Sequence, residues 1–282
     1  MSTAIETLKG TAGRTSSGGR GPAPLRPGHG HSFFWRRLHS LSGIVPIGVF
    51  LIEHYVSNAA AEGGPHAYAL QVKFLNSLPF VFLLELFGIW IPLAYHAGYG
   101  IWIWLRGSPD LKSYPETSNW LYSAQRWTGI IVLAYIVQHV YTLRFSGIHL
   151  PTNPGAAFAK VQEQLLNPWM LAFYVIGIVC ASWHFGYGIF LFCAKWGIVT
   201  GASARKKLIG FSIFVFLVMA VMGLGSLSGF LNKQYRSGAN LQYLQDSLTD
   251  TGKAKAIEQG TDPMSQQKNK EQNQEQTEPR QP

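Results

Sequence analysis

Five long apolar runs restrict what this sequence can fold into. They cover roughly 38–58, 79–105, 121–145, 168–194 and 208–231. A helix needs about 20 predominantly apolar residues to cross a bilayer. Because 47% of the residues are hydrophobic and only 13% are charged, soluble cores are a poor explanation for five runs of this length. The runs predict an all-α integral membrane protein in which five transmembrane helices form a bundle.

The two ends of the chain differ in composition from the apolar region between them. Residues 1–32 are rich in Gly, Ser, Pro and Arg and have no apolar stretch of the kind that secretory signals carry. Residues 232–282 are polar, and such a segment cannot bury enough apolar surface to fold alone. We therefore expect a flexible basic segment over 1–32, a transmembrane domain over 33–231 and a disordered tail over 232–282.

The positive charges predict the orientation of the bundle, because Lys and Arg concentrate in cytoplasmic loops. If the spans alternate in direction, the N-terminal side carries Lys9, Arg14, Arg20, Arg26, Arg36, Arg37, Arg106, Lys112, Arg126, Lys195, Arg205, Lys206 and Lys207. Before the tail, the opposite side carries only Lys73, Arg144 and Lys160. This bias predicts a multi-pass protein of the cytoplasmic membrane with its N-terminus inside and its C-terminus outside. It also accounts for the net charge of +9, so we expect no nucleic-acid partner.

Four histidines lie inside the apolar runs at two depths. At 1.5 Å of rise per residue along alternating helices, His96 and His184 fall near the inner face and His54 and His139 near the outer face. An isolated intramembrane histidine can simply be hydrogen-bonded between helices. Two imidazoles facing each other at one depth can instead bind a haem iron from both sides. Zinc is disfavoured, since a site of two histidines without a carboxylate or thiolate ligand is a poor zinc site.

A repeated motif accompanies the inner pair. The sequence HAGYG begins at His96 and HFGYG begins at His184. We expect the glycines of both motifs to offer flat backbone beside a macrocycle: Gly98, Gly100, Gly186 and Gly188. His39 lies about 22 Å below His54 along the first helix, at the inner surface, and depth alone gives it no partner.

At this point the chain resembles a known family. The stretches are FFWRRLHSLSGIVPIGVFLIEH (33–54), LPFVFLLELFGIWIPLAYHAGYG (78–100), NWLYSAQRWTGIIVLAYIVQH (119–139) and NPWMLAFYVIGIVCASWHFGYG (167–188). They are similar to the cytochrome b-558 type, single-chain dihaem membrane anchors of succinate:quinone oxidoreductases and fumarate reductases. The pattern R-R-L-H-S-L-x-G, the four histidines and the order of the helices carry the resemblance, which covers every predicted span.

The resemblance implies two b-type haems, an inner one bound by His96 and His184 and an outer one bound by His54 and His139. It also implies a quinone substrate, which we expect to be menaquinone. The partners would be a flavoprotein subunit that oxidises succinate and an iron–sulfur subunit that passes electrons to this chain. The chain itself would carry no dicarboxylate-oxidising site and would act in electron transfer and quinone chemistry.

Several polar residues are candidates for further roles in this family. Arg36, Arg37, His39 and Ser40 lie where the first helix leaves the cytoplasm and could bind haem propionates or quinone, or contact the iron–sulfur subunit. The alternative is an ordinary positive-inside anchor. Arg126 is a second propionate candidate. Glu85, in the outer third of the second span, could move protons to or from a quinone, although a carboxylate hydrogen-bonded between helices fits equally well.

Two other functional classes remain open at this stage. The chain could be the dihaem anchor of another quinone-linked dehydrogenase, or a b561-like electron carrier. It could also be a haem-free, histidine-lined transporter. The quinone position is open as well, either at the outer end near Glu85 or at the inner end beside Ser40 and Arg36. Electron transfer across the whole bilayer favours the outer end.

Overall fold

The computed structural model of the chain describes residues 29–107, 116–145 and 154–235, and the regular structure in these ranges is helical, as predicted. The α-helices are α1 His29–Ile44, α2 Pro46–Asn58, α3 Gly64–Asn76, α4 Val81–Glu85, α5 Ile91–Arg106, α6 Thr117–Leu143, α7 Gly155–Leu165, α8 Pro168–Lys195 and α9 Ala202–Leu231. Helix α1 begins before the expected domain boundary at residue 33. The rest of segment 1–32, and the tail beyond residue 235, lie outside the described residues.

Four described helical segments are long and apolar enough to cross a membrane: Phe33–Asn76, Val81–Arg106, Pro168–Lys195 and Ala202–Leu231. Helix α6 is long enough, with 27 residues and a length of about 40 Å. It is more polar than the other four, because it carries residues such as Gln125, Arg126 and Gln138. The expected fifth span therefore stays a prediction, although α6 packs against α5 and α8.

Prolines interrupt the first two predicted spans. The first span changes from α1 to α2 at Val45, immediately before Pro46. Proline has no N–H to continue the hydrogen-bond ladder and commonly kinks a helix. In the second span a π-helical turn over residues 86–90 separates α4 from α5, which has Pro92 in its first turn. The interruption of the first span places His39 and His54 on two separate helices.

The two ends of the bundle differ in chemistry. The basic end contains the start of α1, the end of α5, the start of α6, the connection after α8 and the start of α9. Its described cations are Arg36, Arg37, Arg106, Arg126, Lys195, Arg205, Lys206 and Lys207. The opposite end is covered by what we call the cap, which consists of a 3₁₀ turn (Ala59–Gly63), α3 and α7.

The cap holds much of the tightly buried core. Phe158 of α7 and Phe230 of α9 are 1% and 2% exposed, and their ring centres lie 4.9 Å apart. Tyr68 of α3 contacts both rings edge-on. The amide of Gln162 donates to the Phe230 carbonyl at 2.9 Å. Because these contacts join segments far apart in sequence, the loops between the predicted spans form a packed layer over the bundle.

Helix α8 is the central helix of the bundle. It packs against α1, α6 and α9, while α1 also contacts α5. This arrangement brings the histidine-bearing faces of α5, α6 and α8 towards the paired helices α1 and α2.

Candidate functional site

His96 of α5 and His184 of α8 face each other in the half of the bundle nearer the basic end. Their ring centres are 6.2 Å apart and their planes are perpendicular, at 90°. The Nδ1 of His96 lies 2.9 Å from the His39 carbonyl oxygen, and that of His184 lies 3.2 Å from the Gln125 carbonyl oxygen. Since a carbonyl only accepts, each Nδ1 carries the proton. Each Nε2 therefore keeps its lone pair for a ligand.

His54 of α2 and His139 of α6 form a second pair nearer the cap. Their ring centres are 5.8 Å apart, with 85° between the planes. The Asn58 amide donates to the His54 carbonyl at 2.7 Å and lies 3.3 Å from the His54 Nε2. Within the described ranges, the buried Nδ1 of His139 has no hydrogen-bond partner. The two pairs thus share a spacing but differ in what holds their rings.

The spacing of both pairs fits a metal ion bound between two imidazoles. With metal–nitrogen bonds of about 2 Å, and ring nitrogens about 1 Å from each ring centre, the two centres should lie about 6 Å apart. The structure has 6.2 Å and 5.8 Å. Two imidazoles that face each other could bind a haem iron from both sides. The residues present therefore fit a bis-histidine haem at each level.

A multidentate site of another kind finds no support in the described part of the chain. No group of three or more His, Cys, Asp or Glu residues is placed to hold a metal there. Cys180 and Cys193 are free thiols on α8. Structural zinc sites use four such ligands, so the two-imidazole interpretation is the better one.

His39 is not isolated, contrary to the expectation from depth. Its ring stacks on His96 with 4.0 Å between ring centres and 14° between planes, and Tyr99 lies beside it at 5.7 Å. Depth along a helix gives height in the membrane but not the direction in which a side chain points. Helix α1 directs His39 towards α5, so His39 contacts a candidate ligand of the inner pair.

The glycines of the HxGYG repeat do not all lie where we expected them. A Cβ on Gly186 would come within 2.8 Å of the Ser212 carbonyl oxygen, so Gly186 allows α8 to approach α9. A Cβ on Gly98 would meet nothing within 4 Å, so Gly98 borders open space and its expected place beside a macrocycle stays a prediction. The glycines that do meet the inner imidazoles are on other helices. A Cβ on Gly43 would lie 2.8 Å from the His96 Nδ1, and one on Gly129 would lie 2.9 Å from the His184 Cε1.

Arg37 and Ser40 connect the start of α1 to the end of α8. Arg37 donates to the Lys195 carbonyl at 3.2 Å and its guanidinium lies 5.0 Å from the Trp196 ring. The Trp196 indole N–H donates to the Ser40 hydroxyl at 3.2 Å. Arg36 is exposed. These contacts give Arg37 and Ser40 a structural role at the basic end, and their predicted binding roles stay predictions.

Arg126 caps the end of α5. Its Nη2 donates to the carbonyls of Trp104 at 2.6 Å and Gly107 at 2.5 Å, and its Nη1 donates to the Tyr122 hydroxyl at 3.2 Å. The last carbonyls of a helix have no partner within the helix, and a cation is favourable there. This capping accounts for Arg126 without a propionate, whose binding stays a prediction.

Glu85 forms an ion pair with Arg144 near the cap. The Nη2 of Arg144 lies 2.7 Å from the Glu85 carboxylate, and the two side chains are 44% and 28% exposed, respectively. The pair joins α4 to the end of α6. Glu53, beside His54, accepts a hydrogen bond from Ser57, which itself accepts one from Gln71 at 3.0 Å.

A polar cluster that the sequence did not reveal lies beside His139. Thr142 and Tyr174 both donate to the Gln164 Oε1, at 3.2 and 2.9 Å, and Gln138 contacts Thr142 at 3.4 Å. Among the described residues, the Gln138 Oε1, the Gln164 Nε2 and the His139 Nδ1 are buried without partners. Buried polar atoms are nearly always hydrogen-bonded, so this cluster has unused capacity for a polar ligand or water.

Sequence reasoning also missed the residues that contact the inner imidazoles from α1 and α6. They are Ser42, Gly43, Gln125, Thr128 and Gly129. The sequence does contain a signal for them. The stretches HSLSG at 39–43 and QRWTG at 125–129 both have a hydroxyl residue in the fourth position and glycine in the fifth.

Comparison with known proteins places the chain among respiratory membrane subunits. The family model described as succinate dehydrogenase/fumarate reductase transmembrane subunit matches residues 106–224. The succinate dehydrogenase cytochrome b558 subunit of Bacillus subtilis is 35% identical over 199 residues, which cover 71% of this chain and 97% of the relative. The succinate dehydrogenase hydrophobic membrane anchor subunit of Thermoplasma acidophilum is 31% identical over 99 residues, which cover 35% of this chain and 75% of that relative. No solved structure matches the chain significantly.

Proposed function

The chain belongs to the family of succinate dehydrogenase/fumarate reductase transmembrane subunits, and on that premise we propose that it holds two b-type haems. One lies between His96 and His184 and the other between His54 and His139. The chain is a membrane-anchor cytochrome b subunit of a succinate:quinone oxidoreductase. The observation that carries the two-haem proposal is the pair of perpendicular imidazole couples, each about as far apart as one metal ion requires.

Two haems at these levels would supply one-electron transfer between the two ends of the bundle. The part of this chain is to bind and orient them. The carbonyls of His39 and Gln125 hold the proton on Nδ1 of the two histidines nearer the basic end. Each Nε2 would then offer its lone pair to the iron, in the tautomer that ligation needs.

We further propose that the basic end faces the cytoplasm and contacts the partner subunits. Its described cations follow the positive-inside rule. An iron–sulfur subunit would sit on this end and deliver electrons near the His96/His184 level, with a flavoprotein subunit oxidising succinate beyond it. Co-purification of both subunits with the full chain tests this proposal against an anchor of another dehydrogenase.

The quinone site belongs at the cap end in this proposal, and the expected quinone is menaquinone. The polar cluster beside His139 supports this position, because the Gln164 Nε2 is a buried donor without a partner among the described residues. A quinone carbonyl can accept from such a donor. Glu85 also lies at this end, in its ion pair with Arg144, and would provide the titratable group for quinone protonation.

A second candidate position for quinone exists near the basic end. The His39 Nδ1 and the Tyr99 hydroxyl are also buried without partners in the described ranges, close to the His96 ring. A His139→Ala variant that still assembles separates the two positions. If quinone binds at the cap end, this variant should lose succinate-driven quinone reduction while succinate still reduces the remaining haem. Near-normal quinone reduction would place the site at the basic end.

The haem assignment is tested with single histidine variants of the purified complex. His96→Ala and His184→Ala should each remove the same spectral component and leave the other haem in place. His54→Ala and His139→Ala should both remove the second component. His66→Ala, which changes a histidine of α3 outside both pairs, is the matched control. Loss of different components within a pair would overturn the pairing, and a chain without any Soret band would support a haem-free transporter.

A further inference from the structure

The two histidines nearer the basic end are held by the same three-part arrangement on two different helices. On α1, the carbonyl of His39 accepts from the His96 Nδ1 at 2.9 Å. Three residues on, the hydroxyl of Ser42 lies 3.5 Å from the same Nδ1. One residue further, Gly43 leaves the space that the imidazole occupies.

Helix α6 repeats this arrangement around His184. The Gln125 carbonyl oxygen lies 3.2 Å from Nδ1, and the Thr128 hydroxyl, three residues on, lies 3.4 Å from it. Gly129 follows, and a Cβ there would meet the ring at 2.9 Å. An acceptor carbonyl at i, a hydroxyl at i+3 and a glycine at i+4 thus recur against both rings.

Each part of the arrangement has a physical task. Ser42 donates to the His39 carbonyl at 3.0 Å. Thr128 donates to the Ala124 carbonyl at 2.8 Å, with the Gln125 carbonyl at 3.2 Å. Because each hydroxyl proton is held by a carbonyl of its own helix, each hydroxyl turns its lone pairs towards the imidazole N–H. The missing side chain at i+4 lets the helix backbone come close enough for the carbonyl to reach the ring.

We propose that Ser42, Gly43, Thr128 and Gly129 are positioning residues that fix the tautomer and ring orientation of His96 and His184 as haem ligands. This proposal rests on the proposed function, since it assumes that these two histidines bind the iron. Outer-shell acceptors of this kind raise the basicity of a ligating imidazole. A more basic ligand favours the oxidised iron, so weakening the arrangement should raise the reduction potential of that haem.

The pair nearer the cap provides an internal contrast. The only hydrogen-bond neighbour of the His54 ring among the described residues is the Asn58 amide nitrogen, which is a donor rather than a carbonyl acceptor. The His139 Nδ1 has no partner within the described ranges. The effect of the positioning residues should therefore be confined to one of the two haems.

Gln125 strengthens the arrangement on α6 only. Its side-chain amide donates to the His184 carbonyl at 3.0 Å, while its own carbonyl faces the His184 Nδ1. Gln125 and His184 therefore exchange two hydrogen bonds, one donated by each side chain to the other residue's carbonyl. On α1 the corresponding side chain is His39, which stacks on the ring of His96 instead.

The test is a redox titration of the purified complex, with low-temperature electron paramagnetic resonance of each oxidised haem. Thr128→Val and Ser42→Ala remove a hydroxyl, and Gly129→Ala forces the His184 ring to move. Each should raise the midpoint potential of one haem and shift its largest g value. The equilibrium constant between the oxidised and the reduced haem should change about threefold to tenfold, which corresponds to a shift of the midpoint potential of about 30–60 mV for one electron. Thr128→Ser, which restores a hydroxyl, should return both readouts towards the original values.

Matched controls come from α9, which carries no histidine. Ser226→Ala removes a buried hydroxyl that donates to a helix carbonyl at 2.9 Å. Gly210→Ala adds a Cβ where nothing lies within 4 Å. Neither should shift a potential.

The outcomes separate the inference from the function beneath it. If His96→Ala and His184→Ala remove one haem together, while Thr128→Val, Ser42→Ala and Gly129→Ala leave both readouts unchanged, the positioning inference is overturned and the haem assignment stands. Equal shifts of both haems would also overturn it. If His184→Ala leaves both haems in place, the haem assignment itself fails. Should Gly129→Ala not assemble, Thr128→Val decides.

Discussion

Replacing Arg126 should destabilise the protein without changing the proposed haems. In Arg126→Met, the short hydrogen bonds to the Trp104 and Gly107 carbonyls disappear. A hydrogen bond to a charged group contributes about 1.5–3 kcal/mol, and a cation at a helix C-terminus about 0.3–1 kcal/mol. Because Arg126 is only half-buried, water replaces part of what is lost. We expect the free energy of unfolding to fall by about 2–3 kcal/mol.

The assay is thermal denaturation of the detergent-solubilised complex, followed by loss of the Soret band. For a domain of about 150–250 residues, 1 kcal/mol corresponds to roughly 2–4 °C, so the midpoint should fall by about 4–12 °C. Arg126→Lys keeps the charge but lacks the planar fork of donors. Its melting midpoint should therefore lie between those of the original protein and Arg126→Met.

A second variant tests the geometry behind this number. A Cβ on Gly107 would lie 2.5 Å from the Arg126 Nη1, so Gly107→Ala should displace the guanidinium and give a similar loss. The double variant should be little worse than either single one, because both remove the same contacts. An additive double variant would refute the capping explanation. An unchanged melting midpoint, with a shifted potential of the His96/His184 haem, would show that Arg126 serves a propionate instead.

Three further predictions follow from other contacts. Glu85→Gln should lower succinate-driven quinone reduction, whereas Arg144→Gln, which breaks the same exposed ion pair, should not. Each variant should change the free energy of unfolding by less than about 1 kcal/mol. Equal turnover in both variants would remove the proposed protonation role of Glu85. A reporter fused after Leu231 should be external and one inserted at residues 200–201 cytoplasmic, and the reverse pattern would invert the assignment of the two ends. Gln162→Leu should lower the free energy of unfolding by about 1–3 kcal/mol, because it leaves the buried Phe230 carbonyl without its donor, and an unchanged melting midpoint would argue against that contact.

The height of each histidine in the bundle could be predicted from the sequence. Apolar run lengths and a fixed rise per residue were enough to pair His96 with His184 and His54 with His139, and the structure brings both pairs of rings together. Their role as haem ligands stays a prediction. Rise along a helix is the same for every residue, so counting residues is reliable even when side-chain contacts are unknown.

The rotation of each helix about its axis could not be predicted in this way. It decides that His39 stacks on His96 and that Gly186 faces α9 rather than a macrocycle. The helices of these spans are apolar on most sides, so no polar face shows which side points inward. The cap was missed for another reason. Helices α3 and α7 are short and lie in connections, and their burial depends on residues of α9.

The closed cap has a consequence for how the chain is made. Its core includes Phe230, and the ring of Tyr235 approaches Phe158 at 6.1 Å between ring centres. Phe230 lies in the last turn of α9 and Tyr235 follows that helix. Both therefore leave the ribosome after every residue of the cap. The packing of α3 and α7 is therefore completed only when the last helix is in place. Until then the cap lacks the ring of Phe230 that packs on Phe158 and Tyr68. The order of synthesis thus makes the core of the cap the last part of the bundle to be completed.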